Sequence, residues 1–389
     1  MAIPPDIDQE EIDAVVKVLK SKKLTALSGR QIKKFEKQFA KYCGTKYAVA
    51  VNSGTAAIHV ALAALEVGPG DEVIVPPYTF VATTTPVLHN NAIPIFADID
   101  KRTYCIDPED IKKRISDKTV GIIPVHLFGH PAEMDTILEI AEKHNLFVLE
   151  DSCQAHGAEY KGKKVGSIGI AGCFSFFESK NMMTGEGGII TTNDNELLEK
   201  ARLIRWHGEP AQYRYKRLGY NYRMTEIQAA LGLVQLKKLD RFNEIRIKNA
   251  EYLNEKLEPL EGIQIPYVAP DVKHVFHVYA PLLEAGKIGI TNDEFMKQLR
   301  EIIPFIRPIY PDPLYTESIF VEKNAYKHKC PFSCPYYDKE LDYSKISLPI
   351  VEEICERIIG LPTMPGITEK LLDEVIKSIR SIIVEIKKN

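Results

Sequence analysis

Phe147-Val148-Leu149 runs straight into Glu150-Asp151-Ser152-Cys153-Gln154-Ala155-His156-Gly157. A short apolar run that ends on carboxylates and small polar residues reads as a strand leaving a core, with Asp151 at its carboxyl end. The same grammar repeats on both sides. Gln31–Cys43 has helical spacing, 46–52 is strand-like, and 54–66 sets Ile58, Leu62 and Leu65 on one helical face before Gly68-Pro69-Gly70 stops it. Further strands are expected at Glu72–Val75, 93–97, 120–124, 173–176 and Gly188–Thr192, with a helix over 133–144. Such alternation predicts an α/β fold, a mostly parallel central sheet flanked by helices on both faces.

The sheet belongs to a large domain, 31–245, preceded by an N-terminal arm, 1–30. From Arg223 a long helix, with Ile227, Leu231 and Val234 on one stripe, leads into a smaller C-terminal α+β domain, 246–389. That unit holds a strand-like stretch at 275–283 and a capping box at Thr291 and Glu294. It closes on a helix striped by Leu372, Val375, Ile379, Ile382 and Ile386. Residues 303–345, rich in Pro and Tyr, read as irregular.

Composition removes several classes of function. Against 50 Lys and Arg stand 53 Asp and Glu, a net charge of −3, which offers no basic face to nucleic acid or to a membrane surface. No apolar run approaches the roughly 18 residues of a membrane span. The acidic start lacks the pattern of a signal peptide. Seven scattered cysteines, an odd count, suit reduced thiols in a cytoplasmic protein. The one cluster with metal character, His328, Cys330 and Cys334, lacks a second ligand pair, so no metal is expected. There is no GxGxxG after a strand, no GxxxxGK[ST] and no HExxH, which argues against a nicotinamide dehydrogenase, a P-loop enzyme and a zinc protease.

Three stretches carry chemistry. Asn52-Ser53-Gly54-Thr55-Ala56-Ala57 joins a strand to a helix whose free amides suit a phosphate, or is an ordinary helix cap. Asp151, at a strand end where such sheets bind ligands, pairs with a cationic ring nitrogen or caps a helix. Lys180 lies among aromatics and Gly-rich turns, in Phe176-Phe177-Glu178-Ser179-Lys180-Asn181. Burial there would leave free amine for Schiff-base chemistry; the alternative is an exposed loop lysine. A phosphate cradle, a strand-end Asp and a later Lys together match the needs of pyridoxal phosphate. His156 and His207 read either as catalytic or as structural.

The segments NSGTAAIH, PPYTFVAT, EDSCQAHGA, GSIGIAGCFSFFESKNMMTGEGG, GYNYRMTEIQAALGLVQL and LPTMPGITE resemble the DegT/DnrJ/EryC1/StrS sugar aminotransferases, a group of fold-type-I pyridoxal phosphate enzymes, over about residues 5–385. The resemblance implies that Lys180 forms the Schiff base with pyridoxal 5′-phosphate and that Asp151 binds the pyridine nitrogen. Gln154 would face the phenolic oxygen, and Gly54, Thr55 and Ser175 would hold the phosphate. Phe80 would lie against the ring. Asn221 would reach the phosphate of the neighbouring subunit, making a homodimer with shared active sites, unless it caps its own helix. The implied reaction moves an amino group from glutamate or glutamine to a keto sugar, carried on a nucleotide diphosphate, in ping-pong fashion. Arg30, Arg214, Lys216 and Arg307 are candidates to meet that diphosphate. A non-nucleotide cyclic ketone, such as a keto-inositol or an aminoshikimate-type ring, is the alternative acceptor. A cofactor-binding regulatory protein is the rival class, and it would carry a DNA-binding region for which the N-terminal arm is too short.

Overall fold

The computed structural model describes residues 5–304, 306 and 309–388. Seven strands form the central sheet: β1 (Tyr47–Val51), β2 (Glu72–Val75), β3 (Ile93–Phe96), β4 (Thr119–Ile122), β5 (Phe147–Asp151), β6 (Ala171–Ser175) and β7 (Gly188–Thr192). Their order is β1-β7-β6-β5-β4-β2-β3, and only β7 runs against the rest. Both faces are covered, as strand alternation shows. Val49, Val51, Cys173 and Ile190 enter one core; Ala48, Ala50, Phe174 and Ile189, their immediate neighbours, enter another. On the first side lie α3 (Gly54–Ala64), α4 (Met134–His144) and α5 (Asn195–Arg205); on the second lie α2 (Gln31–Cys43) and the start of α6 (Glu226–Leu257). The helix α3 is apolar nearly all round because it is buried nearly all round.

The helix α6 opens with a capping box of Thr225 and Gln228 and runs 32 residues. Its far half, with Leu253 and Leu257, joins α7 (Asn292–Ile302) and α8 (Glu369–Lys388) in a separate core. Leu372, Val375, Ile379 and Ile382 are buried there as their spacing predicts, and the Thr291–Glu294 capping box is formed. The stretch 275–283 differs from expectation. Phe276 sits at φ 42, which breaks an extended run, and only Leu282–Leu283 pairs as a strand, with Ile263–Gln264. Ile303 and Ile306 at the start of the irregular, Tyr-rich segment join this core, and its later part packs on the edge of the sheet. Tyr315, Phe320 and Tyr343 ring Phe96, and the Tyr343 hydroxyl donates to Pro94 O at 2.7 Å, covering β3.

The N-terminal stretch holds a helix the sequence reading did not foresee, α1 (Gln9–Ser21), with a capping box of Asp8 and Glu11. Buried Glu11 accepts from Gln235 (2.8 Å) and Lys238 (2.7 Å), which lays α1 along α6. No described helix is long and apolar enough to cross a membrane, and no cluster among the described residues could hold a metal ion.

The helix α2 has no cap of its own at Arg30. Glu226, buried at the start of α6, accepts instead from the backbone amides of Gln31 (2.6 Å) and Ile32 (3.2 Å). Glu226→Ala is therefore expected to lower stability by about 1–3 kcal/mol, since buried amides lose their acceptor. Glu226→Gln should cost less. An unchanged urea midpoint in Glu226→Ala would refute the capping role.

Candidate active site

The carboxyl ends of β1, β2, β5 and β6 feed one cavity of about 450 Å³. It is lined by Gly54, Thr55, Phe80, Asp151, Gln154, Ser175 and Lys180, so seven of the eight residues expected from the sequence meet there. Asn221 is not among its lining residues. It is exposed and bridges to Trp206, and since Thr225 caps α6, Asn221 is not that helix's cap.

Two residues after β1 comes Ser53, whose hydroxyl accepts from Ala56 N at 3.1 Å and starts α3. Ser53 O takes Ala57 N at 3.0 Å. The amides of Gly54 and Thr55 keep no partner among the described residues, and they stand at the positive end of the helix dipole. A methyl group on Gly54 would come within 2.6 Å of Ser175 Cβ and 3.1 Å of Cys153 Sγ. Only glycine lets α3 begin this close to the ends of β5 and β6.

Asp151 closes β5 and is buried. Its Oδ2 accepts from the Thr83 hydroxyl (2.8 Å) and its Oδ1 from Cys153 N (3.1 Å). Thr83 is in turn 3.0 Å from the Thr79 hydroxyl. No lysine or arginine pairs with this carboxylate among the described residues. Gln154 accepts from Phe128 N (3.1 Å) and donates to the Tyr310 hydroxyl (3.1 Å), leaving one amide hydrogen free. Tyr310 stacks on Phe128 with an interplanar angle of 7°. Lys180 follows a turn in which its own amide donates to Phe177 O at 2.9 Å. Part of its side chain is open to the cavity, yet the protein packed around the amine lowers its pKa; Cys153 and Asp151 act in the opposite sense.

Thr79, Thr83, Tyr310 and His277 also line the cavity and were not assigned from the sequence. The two threonines follow β2 in Thr79-Phe80-Val81-Ala82-Thr83, and the strand-end logic that found Asp151 would have found them. Tyr310 carries no comparable signal, lying 156 residues from its partner in irregular chain. His156 is fully buried between Phe174 and Phe176, its pKa lowered to about 3 by burial, and does not line the cavity; His207 is exposed. Arg30, Arg214 and Lys216 are exposed and outside the cavity, and Arg307 lies outside the described residues.

A phosphate-sized set of free amides and a hydroxyl, a buried carboxylate without a cation, and a desolvated amine fit the three polar ends of pyridoxal phosphate.

Comparison with known proteins agrees. The sequence matches the DegT/DnrJ/EryC1/StrS aminotransferase family over residues 5–341. It is 39% identical to GDP-perosamine synthase of Caulobacter vibrioides, covering 98% of this chain and 97% of that protein. It is 35% identical to dTDP-3-amino-3,4,6-trideoxy-alpha-D-glucose transaminase of Streptomyces venezuelae, over 94% and 90% of the two chains. Among solved structures, NtdA of Bacillus subtilis, with bound cofactor PMP, superposes with a TM-score of 0.84 at 29% identity, over 97% of this chain and 83% of that one. The α/β fold, the cavity at its strand ends and these matches together place the chain in the DegT/DnrJ/EryC1/StrS aminotransferase family.

Proposed function

We propose that this aminotransferase moves an amino group from glutamate or glutamine to a keto sugar linked to a nucleotide diphosphate, with a 3- or 4-keto (deoxy)sugar as the acceptor class. The observation that carries the reading is one cavity holding Lys180, Asp151 and the open amino end of α3. The two curated relatives named above, one a GDP-sugar synthase by name and one a dTDP-sugar transaminase, support a nucleotide-linked acceptor.

Pyridoxal 5′-phosphate, when bound, supplies an aldehyde that captures amines and a protonated ring that accepts electrons from the adjoining carbon. The protein does the rest. Gly54 and Thr55 amides with the Ser175 hydroxyl hold the phosphate. Asp151, its two oxygens steadied by Thr83 and Cys153, receives the ring N–H and keeps that proton in place. The free amide hydrogen of Gln154 would serve the phenolic oxygen, and Phe80, which lines the same cavity, would lie against the ring. Lys180 must present a neutral amine to hold the aldehyde carbon, and burial provides it. Lys180, once free, would be the neutral amine placed to hold and return a proton at the reacting carbon. Each half-reaction uses these groups in opposite order, which is ping-pong chemistry.

Two measurements address the reaction and the lysine. Incubation with glutamate and a panel of nucleotide keto sugars should yield an amino sugar, detected by mass. The matching free nucleoside diphosphate should compete with the acceptor, less strongly in high salt. Conversion of a keto-inositol alone, without nucleotide inhibition, would favour the cyclic-ketone reading. Borohydride should fix the cofactor to the peptide holding Lys180, and Lys180→Ala should fold but not turn over. A label on Lys161 or Lys164 would overturn the assignment.

We also propose that Asn221 serves the neighbour's phosphate in a homodimer. Its exposure, its absence from its own chain's cavity and its freedom from capping duty support this. Lys180→Ala and Asn221→Asp homodimers should each be nearly inactive. Mixed chains assembling at random should recover up to about a quarter of wild-type activity, because each hybrid dimer keeps one intact site. Hybrids that form without recovery would place both residues in one chain's site.

A further inference from the structure

A row of buried amides leads away from Lys180. Asn181, the next residue, and Asn243 of α6 are both buried. Their orientations follow from two backbone carbonyls, which can only accept. Asn243 Nδ2 lies 2.7 Å from His156 O, so nitrogen faces that carbonyl and Asn243 Oδ1 is left as an acceptor. It takes Asn181 Nδ2 at 2.9 Å, and the same nitrogen donates to Val275 O at 3.2 Å. Asn181 Oδ1 is thereby the only atom free to meet His277 Nδ1, 3.0 Å away, and the histidine nitrogen must be the donor. Reversing either amide would set oxygen against oxygen. Gly157 protects this row: it sits at φ +80, and a Cβ there would reach within 2.7 Å of Asn243 Nδ2.

The histidine is held by its backbone as well. His277 N donates to Phe128 O at 2.7 Å, and Arg246 Nη1 donates to His277 O at 3.2 Å. His277 lines both the 450 Å³ cavity and an adjoining one of about 610 Å³, and Lys180 and Ser179 line both with it. No hydrogen bond among the described residues uses Nε2.

We propose that the Asn243–Asn181–His277 row locks the His277 proton on Nδ1, so that Nε2, which no described residue occupies, is a bare acceptor to which the Lys180 amine turns when it is released from the cofactor. The inference rests on the reading of Lys180 as the reactive amine. His277 is then a positioning residue. Burial first, and then the charged or titratable groups facing it, Lys180, Arg246 and His156, hold its pKa well below the ordinary histidine value. An imidazole so placed stays neutral, and an acceptor, across the neutral pH range.

Nitrogen-15 NMR of the full-length chain, with labelled histidine, reads the tautomer without any turnover. The expected result is a pyrrole-like Nδ1 and a pyridine-like Nε2 for His277, unchanged between pH 6 and pH 9 (a window set around the ordinary histidine value of about 6.5). A proton on Nε2, or titration at the ordinary value, would overturn the proposal. The second readout is Lys180 in the cofactor-free protein, from its rate of labelling by an amine reagent against pH. An acceptor favours the ammonium form, so His277→Phe should move the Lys180 midpoint down by about one pH unit. His277→Gln, which restores a side-chain acceptor, should return part of that shift. No movement in His277→Phe would mean that Nε2 does not hold the amine. Borohydride labelling of a different lysine would instead sink the reading of Lys180 and leave the tautomer result standing.

Discussion

A buried carboxylate that forms no ion pair among the described residues governs this structure. Asp151 sits at the end of a strand inside the protein, and its protein partners are a threonine hydroxyl and one backbone amide. Two neutral donors leave a buried negative charge short of compensation, and a cationic N–H is the ligand that completes it. The preceding residue shows what full compensation looks like. Glu150 points to the other side of the same strand and is equally buried. It is met by His126 Nε2 and by the amides of Gly166, Ile168 and Gly169. His126 Nδ1 accepts from Ala132 N, so its proton is on Nε2, facing Glu150. Strand alternation thus gives two adjacent acids opposite duties: Glu150 pins the chain that leads to β6, and Asp151 is left for a ligand.

Much of this is legible in the sequence because the site is built from strand ends. An apolar run marks a strand, its last residue lies at a fixed edge of the sheet, and a polar residue there has few structural duties. Asp151, Ser175 and the Ser53–Thr55 turn follow from that rule. The Asp8–Glu11 capping box of α1 was equally readable, since Asp-x-x-Glu before an amphipathic run is a helix start. What local pattern does not carry is pairing at a distance. Glu226 caps a helix 194 and 195 residues away, and Gln154 meets Tyr310 across 156 residues of chain. Neither partner has a periodicity or motif that names the other. The direction of β7 is an intermediate case. The link from β6 contains no helix, and a parallel neighbour would need a crossover, so an antiparallel return is the cheaper path.

Close backbone approach makes the Gly54 end of the cavity a single rigid piece. Gly54 leaves no room for a Cβ beside Ser175, and a Cβ on Gly188 would fall 2.2 Å from Ser53 O. The start of α3, the end of β6 and the start of β7 therefore touch through main chain rather than through adaptable side chains. Rigidity of this kind keeps the amides of Gly54 and Thr55 aimed before any ligand arrives, so little ordering cost is left for binding.

The opposite end of the cavity is organised by side chains from three distant elements. Lys180 and Asn181 come from the loop after β6, Asn243 and Arg246 from α6, and His277 from the stretch where Phe276 turns the chain. Arg246 is buried, and desolvation lowers its pKa to about 9; its Nη1 donates to His277 O and to Thr363 Oγ1. Besides burial, a guanidinium with no acid partner among the described residues lowers the pKa of neighbouring His277, which lines the cavity with Lys180. Asp151 attracts positive charge at one end of the cavity, and burial disfavours it at Lys180. Under the proposed assignment the two effects fall on different groups, so a protonated ring nitrogen and a neutral lysine can coexist at one pH. That division of protons is what transamination requires of the protein.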